Sequence, residues 1–196
     1  MRLFIALDID DAIRAQLTRF LEGVQPFAPE ARWVKPESLH VTLKFIGEQK
    51  DELLPQVKET LQSVTAPTAT IHFRNYGFFP TARSARVFWI GMQAGPELAA
   101  LARDIDDRMS QLGIEKENRP FSPHLTLARA PGGSGAPHRK KEDRPSHVFA
   151  ILQKRLAALP EPDFGQITPK EFYLYQSQIS PKGSKYTKLA IFPLGK

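Results

Sequence analysis

Cysteine is absent from this chain. Its absence excludes disulfides, a thiol nucleophile and cysteine-based zinc sites, and it suits a reducing, cytoplasmic setting, which is the location we expect. No apolar run approaches the roughly 18 residues needed to span a bilayer, so no membrane partner is expected. The opening Met1-Arg2-Leu3-Phe4-Ile5-Ala6-Leu7-Asp8 is too short an apolar stretch for a signal peptide and ends in an acid. Histidine is scarce, with five in 196 residues, and no two are spaced as His-x-x-x-His. Metal sites usually gather more histidines or carboxylates than that, so we expect no metal and no other cofactor. Acids are outnumbered by bases, 21 against 27, which leaves a net charge of +6. That balance modestly favours a phosphate-rich partner. The apolar share of 41% indicates a folded chain, and its length fits one large domain or two closely packed lobes.

Two of the few histidines occupy matched positions. His40-Val41-Thr42-Leu43 returns 84 residues later as His124-Leu125-Thr126-Leu127, and each copy has a proline four residues before its histidine, Pro36 and Pro120. A β-strand places residues i and i+2 on one face. His40 therefore points with Thr42, and His124 with Thr126, while Val41, Leu43, Leu125 and Leu127 face a core.

The surrounding pattern predicts a strand over Arg2–Ile9 and a helix capped by Asp10 or Asp11, with Ile13, Leu17, Phe20 and Leu21 at helical spacing. Further strands are expected at Ala31–Val34 and Leu39–Ile46. Asp51 opens a helix through Val64. Strands at Thr68–Tyr76 and Arg86–Met92 flank a turn-rich Gly77-Phe78-Phe79-Pro80 segment. Pro96 starts a helix that Gly113 closes. A strand over His124–Ala130 carries the second motif, and a charged, Gly-rich stretch from Pro131 to Pro145 is expected to be a mobile surface loop. Ser146 is placed to cap a helix through Leu159, and Glu171–Ile179 and Tyr186–Phe192 form a late strand pair. The order resembles one strand-and-helix unit stated twice. It predicts an α+β protein with mostly antiparallel sheets and helices covering them.

An imidazole titrates near neutrality and serves as acid or base. Two of them on opposite sides of a phosphorus atom divide the work: one takes a proton from attacking water and the other protonates the leaving oxygen. Threonine hydroxyls can hold the non-bridging oxygens, where negative charge accumulates. A single His-x-Thr on a strand usually reports only a satisfied polar face. The duplication, with its shared proline, is what points to phosphodiester chemistry without metal.

The paired motifs resemble those of the two-histidine (2H) phosphoesterase superfamily, and more narrowly its RNA 2′,3′-cyclic phosphodiesterase branch, also called 2′-5′ RNA ligase-like proteins. The resemblance rests on Arg2-Leu3-Phe4-Ile5-Ala6-Leu7, Trp33-Val34, His40-Val41-Thr42-Leu43-Lys44-Phe45-Ile46-Gly47, His124-Leu125-Thr126-Leu127-Ala128-Arg129 and Tyr186-Thr187-Lys188-Leu189, and so covers nearly the whole chain. It implies a bilobal, pseudo-twofold fold over residues 1–196, a single domain of two intertwined lobes with a central cleft between two sheets. It implies hydrolysis of an RNA terminal 2′,3′-cyclic phosphate to a 2′-phosphomonoester, with His40 as proton donor, His124 as proton acceptor, and Thr42 and Thr126 on the phosphate. The reverse reaction would join RNA through a 2′-5′ linkage. The expected partner is an RNA or oligonucleotide end, acted on by a monomer. A non-catalytic RNA-end binding module and another 2H activity, such as cleavage of 2′-5′ oligoadenylates, are the alternatives.

Five further residues are candidates for substrate contact. Arg129 lies an odd step from His124 and reaches the same face only if a bulge or the strand end redirects it. Lys44 shares the face of His40 if its strand stays regular. Phe45 and Phe121 flank the motifs and offer flat surfaces for a terminal base, and Tyr186 is an aromatic candidate near the C-terminus. Among the other histidines, His72 has no threonine two residues on and reads as structural or exposed, and His138 and His147 have no sequence partner. The basic run Arg139–Lys141 reads as a solvated loop, diluted by Glu142 and Asp143.

Overall fold

The computed structural model describes residues 1–132, 147–180 and 183–195. Nine strands and four helices follow one another among them: β1 (Arg2–Asp8), α1 (Asp11–Val24), β2 (Arg32–Trp33), β3 (His40–Glu48), α2 (Leu54–Gln62), β4 (Ile71–Phe79), β5 (Val87–Ala94), α3 (Pro96–Gln111), β6 (His124–Arg129), α4 (Ala150–Ala157), β7 (Asp163–Ile167), β8 (Glu171–Ser180) and β9 (Gly183–Pro193). They form two sheets, ordered β3-β1-β8-β9 and β2-β6-β5-β4-β7. Every strand pairing is antiparallel. This is the expected α+β architecture.

Local rules account for the helices. The Asp10 carboxylate accepts from the Ile13 amide (2.8 Å) and caps α1, whose Ile13, Leu17, Leu21 and Val24 are buried. Pro55 and Pro96 sit in the first turns of α2 and α3, where a missing N–H costs nothing. Gly113 follows α3 with φ of +81°, the left-handed conformation that favours glycine. The core runs continuously between sheets and helices. Phe73, Phe88, Phe149 and Phe172 are fully buried in it, each contributing about 1.5–3 kcal/mol by leaving water. Among the described residues no helix is long and apolar enough to cross a membrane.

Two expectations need correction, and two further features bear on how the sheets are built. Gly77, Phe78 and Phe79 do not form a turn; they continue β4 and pair with Trp89, Phe88 and Val87. The Trp89 indole lies so close to the Gly77 backbone that a Cβ there would sit 2.1 Å from it, and glycine is the residue that permits it. The last helix begins at Ala150 and ends at Ala157, while Ser146, the expected cap, lies outside the described residues, as does most of the 131–145 loop. β7 has no forerunner in the sequence pattern: Gly165, at φ +89°, interrupts its alternation, and only Phe164 and Ile167 turn inward. The chain halves are also not the two sheets. The first sheet takes β1 and β3 from one end of the chain and β8 and β9 from the other, while β2 crosses to the second. Helices exchange too, since α1, which follows a strand of the first sheet, packs on β7, and α3, which follows β5, packs on β3.

Candidate active site

The two motif strands are bulged at the same place. In β3, Ala6 pairs with Thr42 and Ile5 with Lys44, which skips Leu43. In β6, Trp89 pairs with Thr126 and Phe88 with Ala128, which skips Leu127. Each bulge puts two successive residues on the core side, Leu43 with Lys44 and Leu127 with Ala128, all of them buried. The alternation then resumes in the opposite phase. Position +5 from each histidine thereby joins the histidine face, so that Phe45 accompanies His40 and Thr42 while Arg129 accompanies His124 and Thr126.

The histidines are held identically. His40 Nδ1 donates to the Ser38 carbonyl at 2.8 Å, and His124 Nδ1 donates to the Ser122 carbonyl at 2.8 Å. A carbonyl only accepts, so Nδ1 carries the hydrogen and Nε2 is the atom left for proton transfer. The backbone that presents His40 is itself clamped, because Arg14 donates to the carbonyls of Pro36 (2.5 Å) and Ile9 (3.2 Å). Aromatic rings fix both imidazoles. Phe4 lies 4.8 Å from His40 and Tyr186 meets it edge-on at 5.2 Å. Phe79 meets His124 edge-on at 5.1 Å, with Trp89 at 6.3 Å.

Both histidines are partly exposed, and burial holds both below the ordinary imidazole value, partly offset by the hydrogen bonds to Ser38 and Ser122. The Arg129 guanidinium lowers each of them further. One cation therefore lies within electrostatic reach of imidazoles on two different sheets. Burial lowers Arg129 itself, and Tyr186 of the opposite sheet pulls it back up. His40, His124, Arg129 and Tyr186 thus share one locality where β3 approaches β6. The arrangement can place two proton-transfer nitrogens, two hydroxyls and a guanidinium around a tetrahedral anion.

The remaining candidates divide. Phe45 is 54% exposed and lies 6.2 Å from Phe4 on the histidine face. Lys44 does not share that face: the bulge turns it inward, where it is 6% exposed, pairs with Asp106 of α3 at 2.5 Å and donates to the Glu115 carbonyl at 2.6 Å. Phe121 is half-buried and packs against the main core. His72 pairs with Asp163 at 2.8 Å between β4 and β7. Among the described residues no cluster of three or more His, Asp or Glu is placed to hold a metal ion.

Sequence reasoning passes over several residues that shape the site. Phe79 falls in a stretch that reads as a turn, and Phe4 and Tyr175 give no signal beyond strand propensity. Asp8 reads only as the acid ending the first apolar run. It stands opposite His40 in the β1–β3 ladder, accepts from the Tyr175 hydroxyl, and pairs with Lys188 at 2.6 Å. Its parity with Phe4 and Ala6, which lie in the same small cluster, is the available clue.

A family model described as LigT-like phosphoesterase matches residues 7–89 and again 90–186. The RNA 2′,3′-cyclic phosphodiesterase of Archaeoglobus fulgidus is 34% identical over 98% of this chain and 99% of its own. The protein of that name from Methanocaldococcus jannaschii is 32% identical over 95% and 96%. Among solved structures, E. coli LigT complexed with 3′-AMP superposes with a TM-score of 0.77 at 29% identity, covering 100% of this chain and 98% of that one. The protein TT0787 of Thermus thermophilus gives 0.76 at 28%, covering 98% and 97%.

Proposed function

The chain belongs to the LigT-like phosphoesterase family, and from that membership and the geometry of the cleft we propose that it is an RNA 2′,3′-cyclic phosphodiesterase using the two histidines as acid and base. The observation that carries the mechanism is the matched pair of imidazoles, each with Nδ1 tied to a carbonyl two residues upstream and both within reach of Arg129.

In this reading His124 Nε2 takes a proton from water as its oxygen bonds to phosphorus. The P–O3′ bond breaks, and His40 Nε2 gives its proton to the departing 3′ oxygen. The product is a 2′-phosphomonoester. Thr42 and Thr126 donate to the non-bridging oxygens, and Arg129 balances the charge that gathers there. Phe45, exposed beside Phe4, supplies a flat surface for the terminal base, with Tyr186 framing His40. With an RNA 5′-hydroxyl in place of water, the same steps make a 2′-5′ linkage: His124 takes the hydroxyl proton as that oxygen bonds to phosphorus, the P–O3′ bond breaks, and His40 protonates the 3′ oxygen. The reading takes the protein as one domain of two intertwined lobes, a cytoplasmic monomer without cofactor.

The test is turnover of a nucleoside 2′,3′-cyclic phosphate with the product identified. We expect a 2′-phosphate, formed at the same rate with and without EDTA, and a loss of at least about 10²–10⁴-fold in His40→Ala and in His124→Ala. Turnover that survives both substitutions, or a 3′-phosphate product, would refute the scheme.

A further inference from the structure

The two halves of the cleft match closely enough that their differences stand out. β3 and β6 carry the same motif, the same bulge and the same histidine-to-carbonyl bond. Their neighbours, β1 and β5, occupy equivalent places in the two sheets. The residue directly across the ladder from His40 is Asp8, whereas the residue across from His124 is Gly91. Directly opposed residues in an antiparallel pair bring their side chains to within about 5 Å at Cβ, so His40 has a carboxylate across its ladder and His124 does not. Gly91 is not free to vary: a Cβ there would stand 2.7 Å from the Arg74 carbonyl of β4. The second sheet thus has no room for a carboxylate at the position Asp8 fills in the first.

Asp8 is also fixed in place. One oxygen accepts from the Tyr175 hydroxyl and the other meets the Lys188 ammonium at 2.6 Å, and that ammonium lies 3.9 Å above the Tyr173 ring. Building on the two-histidine mechanism proposed above, we propose that Asp8 is the positioning residue that breaks the symmetry of the cleft, making His40 the proton donor and leaving His124 to act as the base.

The charges around each ring agree with this. His40 faces Asp8 from β1, the Tyr175 and Tyr186 rings from β8 and β9, Lys188 through Asp8, Arg14 from α1 and Arg129 from β6. Of the three charged side chains that act on it directly, Asp8 alone favours its protonation, against Arg129 and Arg14. His124 faces Phe79, Trp89 and Arg129, and its only charged neighbour of effect among the described residues, Arg129, opposes protonation. The charged neighbours therefore favour a proton on His40 over one on His124, which is the direction needed for water to be activated at His124.

Nuclear magnetic resonance titration of the two imidazoles in the full chain tests this without substrate. In Asp8→Asn the His40 midpoint moves to lower pH and that of His124 stays. In Lys188→Met, which removes the cation competing for Asp8, the His40 midpoint moves to higher pH. The falling limb of the pH profile of kcat/KM, read with a nucleoside 2′,3′-cyclic phosphate, follows the same two directions while the rising limb holds. The proposal is overturned if Asp8→Asn leaves His40 unmoved or moves both histidines alike, or if Lys188→Met shifts His40 the same way as Asp8→Asn. Variants that titrate as expected beside a wild-type protein that turns over no cyclic phosphate would sink the functional reading and leave only the influence of Asp8 on His40 standing.

Discussion

Thr42 and Thr126 each combine a β-branched body suited to a strand with one hydroxyl on the histidine face. Replacing the hydroxyl by a methyl separates these two functions. Thr42→Val and Thr126→Val are expected to lower kcat by about 10²-fold each with small changes in KM, because the hydroxyl matters most when charge peaks on the phosphoryl oxygens. Steady-state kinetics on the two variants checks this, and unchanged kcat would remove the threonines from the mechanism. The histidines and threonines are legible because period-two alternation needs only four consecutive residues. Asp8 is not, since its importance arises from standing across a ladder from a residue 32 positions away in the chain, and nothing near it in sequence marks that pairing.

At the scale of elements, the bulge decides which side chains reach the cleft. It has no local sequence mark, because Leu43-Lys44 and Leu127-Ala128 read as ordinary strand. That is why Lys44, expected beside His40, is instead buried against α3, and why Arg129 needs the redirection that the bulge supplies. The duplicated bulge also explains how one position can serve different ends: the same geometry presents an aromatic ring in one sheet and a guanidinium in the other. Inside, the Lys44–Asp106 pair fastens β3 to α3, and the Asp106 carboxylate also accepts from the Glu117 amide at 3.1 Å. Lys44→Ala leaves that carboxylate buried without its cation and is expected to cost about 3–5 kcal/mol, whereas a joint Lys44→Met and Asp106→Leu change is expected to recover most of the loss. Urea unfolding of the single and double variants measures both, and a Lys44→Ala midpoint equal to wild type would show that the pair adds nothing.

At the scale of the whole molecule, burying two neutral imidazoles links folding to pH. Both are held below their ordinary value by burial, so the unfolded chain binds protons more readily than the folded one. Their contribution to stability is complete above about pH 6.5 and is lost as pH falls from there through the lower folded values. The thermal midpoint is therefore expected to drop on acidification below about pH 6.5, and to drop less in a His40→Gln, His124→Gln double variant. Calorimetry across that range decides it; equal slopes for the two proteins would count against this account. The α+β class and the antiparallel pairing follow from strand and helix periodicities. The exchange of strands and helices between the two halves does not, because long-range pairing is a choice among alternatives that local patterns leave equal.

That exchange has a temporal consequence. Synthesis runs from the N-terminus, so a nascent chain carries both histidines well before it possesses Tyr175, Tyr186 and Lys188, which β8 and β9 deliver last. Until then β1 has an open edge where β8 belongs, and His40 lacks one wall of its aromatic enclosure. A ribosome-bound intermediate would thus hold the two histidines without the surroundings that tune them, and the walls around His40 are complete only once the β8–β9 hairpin joins the first sheet.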